Sequence, residues 1–162
     1  ALARETHPQL RLLLVGGEEP KGILNTMMKR LGKDEIDWVE TTGRVADPGM
    51  LYPSMDVLAL LTKREGFPNV ILEAAVHGVP TIASRVTGCI DAVVDGTTGF
   101  LVDSDDPSMI AEFLVKLAVC DDLRISLGQA ARERAIAMFS RTQVWQSYGD
   151  FYSGELNSIK RE

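Results

Sequence analysis

Apolar residues along the chain fall into short continuous runs that alternate with stretches of helical spacing. Residues 10–17, LRLLLVGG, form an unbroken apolar run closed by two glycines, the pattern of a strand buried on both faces. Residues 21–32, KGILNTMMKRLG, carry Ile23, Met27 and Leu31 at helical spacing and end on a glycine. Residues 36–43, IDWVETTG, predict a second strand with Gly43 at its exit. In residues 47–55 a short helix or turn is expected, with Asp47 as cap ahead of Pro48. DVLALLT (56–62) and PTIASR (80–85) predict a third and a fourth strand, and TGFLVDS (98–104) an edge-like fifth after the turn VDGTTG. Beyond it the pattern is helical throughout: 107–119, 121–138, and 141 to about 156, the last with Ser140 as cap.

Strands that alternate with helices imply α/β architecture, a Rossmann-like parallel sheet with right-handed crossovers flanking it. Ligands of such sheets bind outside the carboxyl ends of the strands, which directs attention to the loops after residues 15, 42, 61 and 84. Residues 1–162 show no repeat, low-complexity segment or linker, and a single domain is expected.

Composition narrows the function classes. The 45% apolar and 25% charged shares are those of a globular domain, and the formal charge of −6 argues against a nucleic-acid surface. No apolar run approaches the ~20 residues that span a bilayer. The two cysteines, Cys89 and Cys120, have neither disulfide-framework nor zinc-site spacing, so a reducing cytoplasm is the default and no metal is expected. The acidic stretch 103–107, DSDDP, has the pattern of a turn and helix cap.

The informative segment is 64–80, REGFPNVILEAAVHGVP. The third strand ends there, Gly66 permits an unusual backbone angle, and Pro68 suits the first turn of a helix that stops at Gly78. The first turn leaves the N–H groups of Asn69 and Val70 without partners, a seat for a phosphate or another electron-rich group. Asn69, Glu73 and His77 then share one polar stripe on an otherwise apolar helix, with Glu65 just before it. The stripe is either a solvated face or the wall of a cleft.

This segment resembles the signature of retaining glycosyltransferases of family four, enzymes of GT-B architecture with two Rossmann-like domains facing a cleft. The resemblance is to the carboxyl-terminal, nucleotide-sugar-binding domain and extends through LLLVGG, ETTGRV, YPSMDVLALLT and VTGCIDAVVDGTTGFLVDSDDP, with Asp91 where the family usually carries Glu. It implies a nucleotide-diphosphate sugar as donor substrate and no cofactor. Glu73 would hold the ribose hydroxyls, and Glu65 would act at the donor sugar beside the reacting carbon. The backbone of Gly66, Phe67, Asn69 and Val70 would hold sugar or phosphate oxygens, and Thr87 and Gly88 would close the other side. Gly43, Arg44 and Val45 would flank the base.

The family's first strand, and the loop after it carrying an Arg and a Lys for the diphosphate, have no counterpart in this chain. Residues 1–9 match the tail of the following helix. Lys21 imitates the missing lysine after the wrong strand; Lys63 and Arg64 could substitute, but a solvated loop is the reading favoured for them. The resemblance therefore implies a fragment that lacks the amino-terminal acceptor domain and is inactive alone. The full enzyme would be cytoplasmic, peripheral to the inner face of the membrane, and engaged in cell-surface polysaccharide synthesis. Val144, Tyr148 and Phe151, flanked by Trp145 and Tyr152, are expected to pack in part on the domain's own sheet; any aromatic surface left over would favour self-association.

Other readings remain: a nucleotide-sugar epimerase, a phosphorylase, a dinucleotide-binding oxidoreductase, or a non-catalytic nucleotide-binding module. The oxidoreductase reading wants GxGxxG after the first strand, where GGEEPKG puts two acidic residues instead.

Overall fold

A computed structural model describes residues 1–17, 22–31 and 37–159. Elements follow in the order α1 (Leu2–Thr6), β1 (Leu12–Val15), α2 (Ile23–Leu31), β2 (Val39–Gly43), two 3-10 turns (Pro48–Met50 and Tyr52–Ser54), β3 (Leu58–Leu60), α3 (Asn69–Val76), β4 (Thr81–Ser84), α4 (Thr87–Ala92), β5 (Gly99–Val102), α5 (Pro107–Val119), α6 (Asp121–Phe139) and α7 (Arg141–Ile159). All strand pairs are parallel, as buried apolar runs separated by helices require.

The strands form two groups rather than one sheet. β1 pairs with β2, and β3, β4 and β5 pair in that order. The two groups differ in burial: Leu12 and Val15 of β1 are each 39% exposed, whereas every residue of β4 and β5 is buried.

The three-stranded sheet is covered on both faces. One cluster joins Ala83 and Leu101 to Ile71 of α3 and to Cys89, Ala92 and Val93. The other joins Ile82, Phe100 and Val102 to Leu117 of α5 and Leu127 of α6. β5 ends the sheet, as its edge-like pattern implies, yet its outer side is occupied. Asp95 accepts from the Leu101 amide (3.0 Å) and pairs with Arg85 (2.5 Å), which also donates to the Leu101 carbonyl (3.1 Å). Burial pulls the Asp95 carboxyl upward, but the Leu101 amide and the Arg85 guanidinium outweigh it and hold it below the ordinary carboxylate range.

Caps close the elements where polar residues announce them. Asp47 accepts from the Gly49 amide (2.9 Å), and Ser140 from Gln143 (3.4 Å). At the end of α3, Gly78 adopts φ +74°, and Val79 donates to the Ala74 carbonyl (3.0 Å).

Two readings of the sequence need correction. The segment 87–92, left without a helix by its pattern, forms α4. The aromatic strip of the last helix does not pack on the sheet: Val144 is 40% exposed, and Trp145, Tyr148, Phe151 and Tyr152 range from 57% to 66%. α7 meets α6 instead. No described helix is long and apolar enough to cross a membrane.

Candidate functional site

β3 delivers the chain to residues 61–68, which lead into α3. The helix begins one residue later than its proline suggests: Pro68 is the cap, with φ −81° and ψ 100°, and it offers no side-chain acceptor to the first turn. A proline before a helix keeps the entering backbone extended. It cannot satisfy the leading N–H groups, which point out of the helix end with the positive end of the dipole behind them.

The polar stripe is real and faces outward: Asn69, Glu73 and His77 are all exposed. What the pattern does not reveal is that Glu73 is held from beneath. The Tyr52 hydroxyl donates to Glu73 Oε2 at 2.8 Å, and the Tyr52 ring, 4% exposed, stacks on His77 with centroids 5.6 Å apart. One carboxylate oxygen is thereby anchored, and the second is free to accept hydroxyl groups. Burial, then the hydrogen bond to Glu73 and its negative charge, push the Tyr52 phenol far above its ordinary value, so it remains a donor. A buried tyrosine hydroxyl needs a partner, but burial is not written in the sequence, which gave no sign of this contact. Nor does burial say which acceptor lies in reach.

Glu65 is half-buried. Burial, and next the charge of Glu65, raise the Cys89 thiol above its usual value, which places this carboxylate near the first turn of α4. Backbone meets backbone at the same junction. A Cβ on Gly88 would lie 1.8 Å from the Gly66 carbonyl oxygen and 3.1 Å from that of Glu65. Gly88 is therefore a glycine because the loop passes directly over it. Gly66, expected to supply an unusual backbone angle, does not: its φ is not positive, and a Cβ there would meet open space. Phe67, 41% exposed, turns its ring toward Phe139 of α6 (5.4 Å between centroids).

The structure thus brings Glu65 and Gly66, after β3, against Gly88 beside Thr87 at the start of α4, after β4; Phe67 continues the loop, and Asn69, Val70 and Glu73 follow on α3. Gly43, Arg44 and Val45 lie at the end of β2, in the other strand group. There Gly43 turns the chain with φ +64°, and a Cβ on Gly17 would sit 3.9 Å from Arg44 Nε. Of the substitute cations, Lys63 pairs with Asp105 at 3.4 Å across exposed surface, and Lys21 lies outside the described residues. The amino end of α3 thus offers amides without a side-chain cap, one anchored carboxylate and, in the preceding loop, a second half-buried one, groups whose chemistry suits phosphate-like oxygens and hydroxyls.

Comparison with known proteins bears on the family and the fold. Residues 1–119 match the family described as glycosyl transferases group 1. The chain is similar to the capsular polysaccharide biosynthesis glycosyltransferase CapM of Staphylococcus aureus, with 35% identity over 89% of this chain and 38% of the relative. It is also similar to N-acetyl-alpha-D-glucosaminyl L-malate synthase of Bacillus anthracis, with 30% identity over 96% of this chain and 40% of the relative. The chain therefore spans about two fifths of these relatives. Among solved structures, HepE of Anabaena in complex with UDP superposes with a TM-score of 0.86 at 23% identity, over 94% of this chain and 43% of that one. Sucrose-phosphate synthase of Thermosynechococcus elongatus gives 0.84 at 27% identity, over 96% and 41%. The chain belongs to the group 1 glycosyl transferases, and its fold is that of a GT-B carboxyl-terminal Rossmann-like domain.

Proposed function

We propose that these 162 residues are the donor-binding domain of a retaining glycosyltransferase of family four. The domain binds a nucleotide-diphosphate sugar and presents the sugar to an acceptor held by another part of the enzyme. The observation that carries this reading is the Glu73 carboxylate, anchored by Tyr52 (2.8 Å) on the same helix whose first turn lacks a side-chain cap.

In this assignment the free oxygen of Glu73 accepts from the vicinal hydroxyls of the ribose. The amides of Asn69 and Val70, with the backbone of Gly66 and Phe67, hold phosphate or sugar oxygens, and the dipole of α3 favours their negative charge. Glu65 lies at the donor sugar, where a carboxylate stabilises positive charge as the glycosidic bond to the diphosphate breaks. Thr87 and Gly88 bound the sugar from the α4 side, and Gly43, Arg44 and Val45 flank the base. The fold match to a UDP complex and the similarity to a capsular polysaccharide enzyme support a nucleotide-sugar donor and a product of the cell-surface polysaccharide class. Acceptor recognition and the cations for the diphosphate belong to the longer enzyme, so these residues alone turn over no donor. Measured transfer by the isolated chain would overturn that part of the reading.

Ligand-detected NMR with UDP, GDP and ADP in parallel tests the assignment. One nucleotide binds preferentially, and Glu73→Gln weakens it by roughly tenfold to a hundredfold, the scale of lost charge-assisted hydrogen bonds. The glutamine keeps an acceptor for Tyr52, so the fold stays intact. Equal binding by the mutant would remove Glu73 from the ribose, and silence from all three nucleotides would refute the isolated donor site.

A further inference from the structure

We propose that α6 clamps the donor site, with Arg134 and Phe139 as positioning residues that hold the 65–67 loop against α4. The proposal deepens the donor-site reading above and rests on it for its functional meaning.

The contacts form a closed circuit. The Gly66 carbonyl lies against Gly88 in the first turn of α4, too close for any side chain at that position. Three residues on, the Asp91 carbonyl accepts from Arg134 Nη2 at 2.9 Å. The Arg134 guanidinium stands 5.0 Å from the centre of the Phe139 ring. Phe139 in turn meets Phe67, centroids 5.4 Å apart and planes tilted by 45°. Phe67 is bonded to Gly66, where the circuit began. One helix therefore grips both partners of the backbone junction, one at each side of the site.

Arg134 is a costly residue to place there for packing alone. Its Nη1 is buried and has no hydrogen-bond partner among the described residues, and leaving a buried donor unmet is unfavourable. Beside it lies a cavity of about 10 Å³ lined by Ile71, Ala75, Thr98 and Ala131, room for no more than a single water. An apolar side chain would fill this space without the unmet donor. It would not tie the end of α4 to α6, nor set a cation over the ring that braces Phe67. The seam that seats α6 is tight elsewhere too: a Cβ on Gly128 would come within 1.9 Å of the Gly78 carbonyl oxygen, and Ala75, Ala131 and Ala135 pack together. Movement of α6 is thus transmitted to both ends of α3.

Phe139→Ala, Arg134→Met and the milder Phe139→Leu and Arg134→Lys provide the test. Hydrogen exchange of the Ile71, Ile90 and Val93 amides, which donate to the Pro68, Val86 and Cys89 carbonyls beside the junction, is read in the free chain and normalised to global stability from urea unfolding, alongside the UDP, GDP and ADP titrations. Phe139→Ala and Arg134→Met should speed exchange at these three amides beyond the global change. Each should also weaken the preferred nucleotide by about tenfold, with Arg134→Lys restoring most of the loss. If the three amides change only in step with the rest of the chain, the clamp is refuted, whatever the nucleotides do. If the wild-type chain binds no nucleotide, the donor-site reading fails while the exchange measurement still decides the clamp. Should the alanine and methionine variants not fold, Phe139→Leu carries the exchange comparison, with Arg134→Lys as its near-neutral control.

Discussion

The amino ends of α3 and α5 both follow strands of one parallel sheet, and they are finished in opposite ways. At α5, Asp106 accepts from the amides of Ser108 (3.0 Å) and Met109 (2.9 Å), so the helix end is satisfied from within. In the preceding turn the Asp105 amide donates to the Asp103 carboxylate (3.0 Å). At α3 the cap is Pro68, which accepts nothing through its side chain. A capped end is worth stability, whereas an uncapped end on a well-packed helix keeps its donors for a ligand. The protein spends its acidic residues near α5 on local order, and at α3 places its carboxylates to either side of the open amides.

The largest effect should come from closing the open side sterically. Gly88→Ala pushes a methyl group into the Gly66 carbonyl, 1.8 Å away, and backbone rather than a flexible side chain must move. Overpacking of this kind costs about 1–3 kcal/mol, and nucleotide binding should vanish in the titrations; a variant that binds normally would show that the loop does not need its observed path.

Removing the cap on the closed side should do something different in kind. Asp106→Ala should lower stability by about 1 kcal/mol in urea unfolding while nucleotide affinity stays unchanged, since that helix end holds no ligand. A fall in affinity equal to that of Glu73→Gln would break the contrast between the two ends.

The smallest effect concerns the support beneath Glu73. Tyr52→Phe keeps the buried ring and loses the hydroxyl, which should weaken nucleotide binding by about twofold to tenfold. It also supplies a pH signature. The folded protein holds the Tyr52 phenol protonated above its ordinary value, whereas the unfolded chain ionises it near pH ~10. Its contribution is therefore complete below that pH and is lost as pH rises toward the raised value. Urea titrations at alkaline pH should show this decline in the wild type and a shallower one in Tyr52→Phe.

Most of the elements were legible because each is written in a local pattern. LLLV is an apolar run of strand length, TIAS is a short stretch of small and β-branched residues between a proline and an arginine, and Asp47, Gly78, Asp106 and Ser140 mark ends by chemistry that acts within a few residues. α4 was not legible. Its segment, TGCIDA, mixes a glycine and β-branched residues, poor local signals for a helix, and it is held by the burial of Cys89 and Ala92 against β4 and β5. The aromatic strip of α7 misled in the other direction: its helical spacing is correct, but periodicity identifies a face without saying what covers it.

The sequence by itself determined the α/β class, the stripe of Asn69, Glu73 and His77, the nearness of Glu65, and the family, because these depend on residue type and short-range spacing. Only the tertiary structure decided that Tyr52 anchors Glu73 from 21 positions away, that Gly88 rather than Gly66 is the glycine the loop demands, and that the strands fall into two groups. Those facts depend on which backbone passes over which, and on where a buried hydroxyl finds its acceptor. Such distances between remote segments arise only when the chain packs.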